Sequence, residues 1–442
     1  MYRARGWLVG GLCLGAVLLL SGCASYSQRF DAIEAQLAAG NLPGALQALE
    51  KDRGNGQRDE VLYLLNRAIL LRMQGDYRQS NQALEQAKQL IDELDAVSLR
   101  EQAASLTVND TLKSYIGSDV ERALLYVYAA LNYLQLDMPD KARVEILQLD
   151  VLLNLQADGQ GSAYTEDAFA RYLSGLVFEQ LGEWSDAMIA YRKSYQNYQK
   201  YRKYLGVKPP HSLGLALLRM AEHLGLKEER RQYRKAFAIE QWTPLPAFQA
   251  KGEVVLIVGT GLASRKREES MSILAPEAGV MVRIALPRYE MKIQPVSEVR
   301  LLMGSETMDA ELVEDIDAIA VKTLQEQMPA ITARTLARAV VKYRAAKEVG
   351  DRDRDQGLSL LLNVAGMLSE RADTRSWSTL PQRIYLARQS LVLGRHDISV
   401  QLLGQGGHVL AQKQFTGVAV EAGKKVYLSW RWIPSYTRGG KR

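Results

Sequence analysis

Cysteine is almost missing from this chain: Cys13 and Cys23 are the two in 442 residues. That excludes a disulfide-stapled fold and a zinc site built on thiolates. Histidine is nearly as scarce, and His211, His223, His396 and His408 show neither an HExxH pattern nor close ligand spacing. A large excess of one charge is also lacking, since 56 Lys and Arg stand against 50 Asp and Glu. A balance this even does not describe a nucleic-acid binder. Glycine (34) and proline (12) are ordinary, which excludes collagen, a mucin-like stalk and a largely disordered chain.

Catalytic patterns are missing in the same way. The loop VGTGLAS after a strand candidate has neither G-x-x-x-x-G-K-[ST] nor G-x-G-x-x-G, and reads as a turn. Asp351, Asp353 and Asp355 in DRDRDQG suggest calcium, but Gly357 falls one place late for an EF-hand and Leu362 stands where its bidentate glutamate belongs. No G-x-S-x-G elbow occurs. The expectation is a chain that is not an enzyme and has no cofactor.

What is present begins with Arg3 and Arg5, an apolar run of 14 residues from Trp7 to Leu20, and then Leu20-Ser21-Gly22-Cys23. The run falls short of the roughly 20 residues of a membrane-spanning helix. Small residues before Cys23 open the backbone to a peptidase, so the segment reads as a signal peptide ending in a lipobox. Residues 1–22 would be removed and Cys23 would carry the lipid, anchoring the remaining 420 residues to a membrane. Ala24-Ser25 follow, with no aspartate after the cysteine; resemblance to Gram-negative lipoproteins implies sorting to the periplasmic face of the outer membrane.

After a short linker (23–30), residues 31–240 read as paired helices. RYLSGLVFEQLGEWSDAMIAYRKSY places Gly175 and Ala187 where two helices approach, with Trp184 and Tyr191 beside them and Gly182 at the turn. Further copies turn at Gly40, Gly75 and Asp137, and a weaker one surrounds SLGLALLRMAEHLGLKEERRQYRKAF. This resembles a degenerate tetratricopeptide repeat array. Stacked repeats make a concave surface that binds a protein partner, or that packs against the chain's own C-terminal part. Tyr195, Tyr198 and Tyr201 recur at helical spacing among basic residues, as a docking face or as a core stripe.

From 241 to 435 strands appear: EVVLIVG, VMVRIALP, IQPVSEVRLLM, then QRIYLARQSLVLG, HDISVQLLG, HVLAQKQFTGVAV and KKVYLSWRWI, with helices expected at 310–327, 331–347 and 358–370. A basic tail, 436–442, ends the chain. Arg334, Arg338 and Lys342 form a four-spaced basic stripe, facing solvent or an acidic protein or anionic polymer. Arg375 and Trp377 join a helix to the last strands, as a partner contact or as a locked domain corner. The expected fold is multidomain: an N-terminal all-α tetratricopeptide-like solenoid followed by a mixed α+β domain with terminal antiparallel strands.

The lipobox, the repeats, GEVVLIVGTGLASRKREE, ITARTLARAVVKYRAAK and ADTRSWSTLPQRIYLAR together resemble a family of proteobacterial tetratricopeptide-type outer-membrane lipoproteins over nearly all of the mature chain. GTGLASRK departs from the proline-containing turn of that family. The resemblance implies an envelope scaffold or adaptor with a protein partner on the helical array and no catalytic residues. Relatives encoded beside lipoproteins that resemble activators of peptidoglycan synthases imply a regulator of such a synthase as the alternative. A glycan-binding or glycan-hydrolysing C-terminal domain is a third reading.

Overall fold

The expected turns are where the backbone turns left-handed: Gly40, Gly75, Gly182 and Gly225 have φ between +69° and +84°, and Asp137 adopts φ 55° at the equivalent place. Glycine tolerates this conformation without a Cβ clash, and aspartate is among the few others that visit it. The computed structural model describes residues 26–53, 57–101, 113–158, 167–275, 280–352 and 371–435. Cys23, residues 1–22, the expected helix at 358–370, the basic tail and the side chain of Lys342 lie outside the described residues.

Among the described residues, a short α1 (Tyr26–Arg29) leads into five helical hairpins: α2 (Asp31–Ala38) with α3 (Leu42–Asp52), α4 (Glu60–Met73) with α5 (Tyr77–Glu101), α6 (Asp119–Gln135) with α7 (Pro139–Asp158), α8 (Ala168–Gln180) with α9 (Trp184–Tyr204), and α10 (His211–His223) with α11 (Lys227–Phe237). Each hairpin packs on the next. Gly175 has the role its spacing suggested, because a Cβ there would overlap the buried Tyr191 ring. Ser118 and Glu121 cap α6 reciprocally.

Beyond α12 (Leu245–Gln249), the described residues form ten strands in three sheets: β1 (Gly252–Thr260), β2 (Arg265–Ala275), β3 (Val280–Glu290), β4 (Glu298–Met303), β5 (Glu306–Asp309), β6 (Glu311–Asp315), β7 (Arg383–Leu391), β8 (Gly394–Leu403), β9 (Val409–Val420) and β10 (Lys425–Trp432). The orders are β10-β1-β7-β6, β5-β4-β8-β9 and the hairpin β2-β3. Helix α13 (Ile316–Arg352) intervenes. A helical N-terminal region followed by a sheet-containing C-terminal region is therefore what forms.

Three expectations are corrected. Residues 311–315 are strand rather than helix: β6 pairs antiparallel with β7 at the edge of the first sheet, and the helix begins only at Ile316. The helices expected on either side of Pro329 are one helix, with the proline inside it. The last strands are also not all antiparallel, because β10 pairs parallel with β1 from Glu253↔Lys425 to Thr260↔Trp432. Every residue of β1 is buried, the usual state of a strand covered on both faces.

Alternation along β1 explains that cover. Val254, Leu256 and Val258 face Val299, Leu301, Ile398 and Val400 of the second sheet. Val255 and Ile257 point the other way, into the cluster made by the helical hairpins. The array and the first sheet therefore share a continuous hydrophobic core across the boundary near 240.

Candidate functional site

The first helices of the hairpins, α4, α6, α8 and α10, make the inner face of the array, and the chain's own first sheet lies against it. The Thr379 N–H donates to Asn66 Oδ1 (3.2 Å) on α4, and the Trp377 N–H to Glu121 Oε1 (2.6 Å) on α6. Arg72 Nη2 donates to Ser429 Oγ (3.0 Å), and Gln135 Nε2 to the Tyr427 carbonyl (2.9 Å). On α10, Glu311 accepts from the amides of His211 and Ser212 and from Ser212 Oγ (2.6 Å), serving as the N-terminal cap that Pro210 cannot supply.

At the middle of this interface lies a buried ion cluster. Glu179 of α8 meets Arg388 (3.2 Å) and Lys425 (3.1 Å) of the sheet and Arg219 (3.5 Å) of α10. Glu253 of β1 meets the same Arg388 and Lys425, each at 2.8 Å. Burial alone would raise both carboxyls, but Arg388 and Lys425, joined at Glu179 by Arg219, outweigh it and hold both below the ordinary carboxylate range. Sequence reasoning missed this cluster. Its signals were single charges set in apolar surroundings, Glu179 in LVFEQL, Glu253 in GEVVLIV and Arg388 in IYLARQSLVL.

The tyrosine stripe belongs to the same interface. Tyr198 and Tyr201 are fully buried, and Tyr198 donates to the Val313 carbonyl (2.8 Å) on β6. Tyr195 packs on Tyr233 and Phe237, 5.7 and 5.2 Å between ring centroids. As a docking face for another molecule this stripe is corrected: β6 meets Tyr198, and helix α11 covers Tyr195. Trp377 is likewise closed off, buried edge-on to Tyr128 at 5.9 Å. Arg375 locks the same corner, bonded to Asp373 (2.7 Å), Asp59 (3.2 Å) and the Lys113 carbonyl (2.9 Å).

One helix face and one cavity among the described residues are open to other molecules. Helix α7 is apolar on two sides. Ala142, Ile146, Leu149 and Leu153 are fully buried, whereas Val144, Leu147, Val151 and Leu155 are 42% to 67% exposed. Ion pairs Arg143–Glu183 (2.7 Å) and Lys193–Asp150 (3.3 Å) hold this helix beside α9, which exposes Ile189.

The other feature is a cavity of about 540 Å³ between the 113–119 segment, the β2–β3 hairpin, α13 and the 371–375 segment. It gathers Arg334, Arg338 and Arg375, distant in sequence, with Lys113, Lys266 and Arg371. Asp119 and Asp373 are the carboxylates in its wall, and Ala285, Pro287, Leu324 and Ile331 supply apolar surface. Lys266 Nζ lies 5.8 Å from the Tyr289 ring centroid. Burial works against its charge, but Tyr289, Glu121 and Asp373 outweigh that and keep it protonated above the usual lysine range. The wall can receive an anion.

The loop after β1 turns at Gly261, φ +72°, as expected, and sets Ser264 Oγ 2.6 Å from Asp317 Oδ2. Among the described residues no group of three His, Cys, Asp or Glu side chains could hold a metal ion. None of the described helices is long and apolar enough to cross a membrane.

No protein-family model and no curated protein matches the chain. Solved structures of MamA are similar to part of the chain. One crystal structure of MamA is 18% identical with a TM-score of 0.31, covering 47% of this chain and 93% of that one. MamA 41-end from Desulfovibrio magneticus RS-1 is 14% identical with a TM-score of 0.30, covering 48% of this chain and 89% of that one.

Proposed function

We propose that the protein is a non-enzymatic scaffold of the cell envelope, anchored by a lipid on Cys23 to the periplasmic face of the outer membrane. Its tetratricopeptide-like array recruits a partner protein through its outer face. The observation that carries this reading is the division of the array into a filled side and an open one. The inner face is taken by the chain's own sheet, while α7 turns Val144, Leu147, Val151 and Leu155 to the outside. A contiguous apolar stripe flanked by ion pairs is the surface that an amphipathic helix of a partner covers.

A photo-crosslinking side chain at Val151 of the full-length protein tests this in intact cells. The expected result is a discrete adduct with one envelope protein that disappears with Leu155→Glu and is not formed from Arg231, an exposed position on α11. Adducts identical from Val151 and Arg231 would exclude the stripe as the docking face. If the adduct is a peptidoglycan synthase whose rate changes on adding the purified protein, the scaffold acts as its regulator. Cys23→Ala is expected to abolish acyl labelling and sedimentation with membranes; unchanged labelling sinks the anchor.

A further inference from the structure

The basic cavity has no role in that reading. Six cationic side chains line it, Lys113, Lys266, Arg334, Arg338, Arg371 and Arg375, with the carboxylates Asp119 and Asp373; Arg375 is paired with Asp373 and with Asp59 behind the wall. A concentration of one sign in a recess focuses the field on whatever enters it.

We propose that this cavity is a binding site for a phosphate-bearing ligand of headgroup size. Its volume, about 540 Å³, lies in the range of small-ligand pockets, about 300–1,000 Å³. Phosphate suits the wall better than a single carboxylate does. It brings up to two charges and several acceptor oxygens, and guanidinium groups pair with it through two parallel hydrogen bonds. Lys266 makes no ion pair with any described carboxylate, and its neighbour is the Tyr289 ring. Ala285, Pro287, Leu324 and Ile331 give the ligand's carbon atoms an apolar wall.

The position in the fold points to a source. Arg265, one residue before Lys266, donates to the Ser27 carbonyl and pairs with Asp31 and with Glu34 (3.0 Å), so β2 is fastened to the start of the described chain. Lys292 after β3 meets Glu34 as well (2.8 Å), and its neighbours Met291 and Ile293 are 58% and 82% exposed. Tyr26 follows Cys23 by three positions, a reach of at most about 10 Å. If Cys23 bears the lipid, as the reading above holds, this end of the molecule lies at the bilayer surface, where phospholipid headgroups are within reach.

The test is a calorimetric titration of the full-length protein in nonionic detergent with inorganic phosphate, glycerol 3-phosphate, dihexanoyl phosphatidylglycerol and succinate. Saturable binding of a phosphate compound is expected, weakened about tenfold or more by Lys266→Gln and by Arg334→Gln, each removing one charge-assisted hydrogen bond. Two variants are used so that a folding defect in one, read from its melting curve, leaves the other informative. Phosphatidylglycerol binding well above the soluble phosphates assigns the site to a lipid headgroup; equal binding assigns it to a free phosphate ester, and both uphold the site. No binding by any phosphate compound, unchanged affinity in both variants, or succinate binding as tightly would overturn it. Glycerol 3-phosphate binding by a chain without acyl label retires the anchor but keeps the site, and an acyl-labelled chain that binds no phosphate does the reverse.

Discussion

Glu179→Ala is expected to destabilise the protein by about 3–5 kcal/mol, because it leaves Arg388, Lys425 and Arg219 in the interface with Glu253 as their remaining carboxylate. Surface ion pairs are worth about 0–1 kcal/mol, and the difference lies in the burial of all these groups. The loss should appear as a lower urea midpoint, with the array and the first sheet unfolding together because they share a core. A loss under about 1 kcal/mol would show that the cluster is solvated and does not hold the halves together. The pH dependence has a definite sign. The Glu179 and Glu253 carboxyls are held below their unfolded values, so their contribution is complete above about pH 4.5 and falls away as pH drops toward the folded values. The Glu179→Ala variant should lack much of that acid-side fall.

The second large effect runs the other way. Glu314 of β6 is fully buried, neither of its carboxylate oxygens has a hydrogen-bond partner, and Asp167, the N-cap of α8, is buried beside it with Oδ2 also unbonded. Burial, then Asp167 and then Asp315 push the Glu314 carboxyl well above the ordinary range, and burial raises Asp167 to about 6. A folded state that holds its protons more tightly than the unfolded chain loses stability as pH rises through the unfolded values near 4. For Asp167, a rise from 3.8 to about 6 corresponds to a cost of about 3 kcal/mol at neutral pH. Glu314→Gln removes the second charge at nearly constant shape. It is expected to stabilise the protein by about 1–3 kcal/mol at pH 7.5, with the gain vanishing toward pH 4, where the wild-type carboxyl is protonated in both states. Denaturation at pH 4, 5.5 and 7.5 measures this. A variant no more stable than wild type at pH 7.5 would show that water or a counter-charge already accommodates Glu314.

Much of the fold was legible because its causes are local. The left-handed turns at Gly40, Gly75, Gly182 and Gly225 need a residue without a Cβ, and such a residue is visible in one dimension. Gly175 and Tyr191 could be paired from their spacing because they lie on consecutive helices. The strand at Glu311–Asp315 was harder, because it is five residues long and runs directly into the helix that begins at Ile316. Pro329 misled for a different reason: it removes one hydrogen bond and crowds the preceding turn, which usually ends a helix, yet here α13 continues through it.

The tyrosine stripe separates what a sequence can and cannot decide. Spacing put Tyr195, Tyr198 and Tyr201 on one side of a helix, but a stripe looks the same whether that side meets a partner or the chain's own sheet. Only contact across 115 positions, from Tyr198 to Val313, settles which. The same holds for Arg388 and Glu179, 209 positions apart, and for the convergence of Arg334 and Arg375 on one cavity with Lys266.

By itself the sequence determined the order of the parts, the turns, most strands and the lipobox at Cys23 as an expectation, since each rests on residues within a few places of one another. The tertiary structure decided that the array's inner face is filled from within, that single charges in apolar stretches form a buried cluster, and that scattered arginines and lysines surround a cavity. Those outcomes depend on which surfaces meet, and burial and electrostatic energy are set by that meeting rather than by any neighbour in the chain.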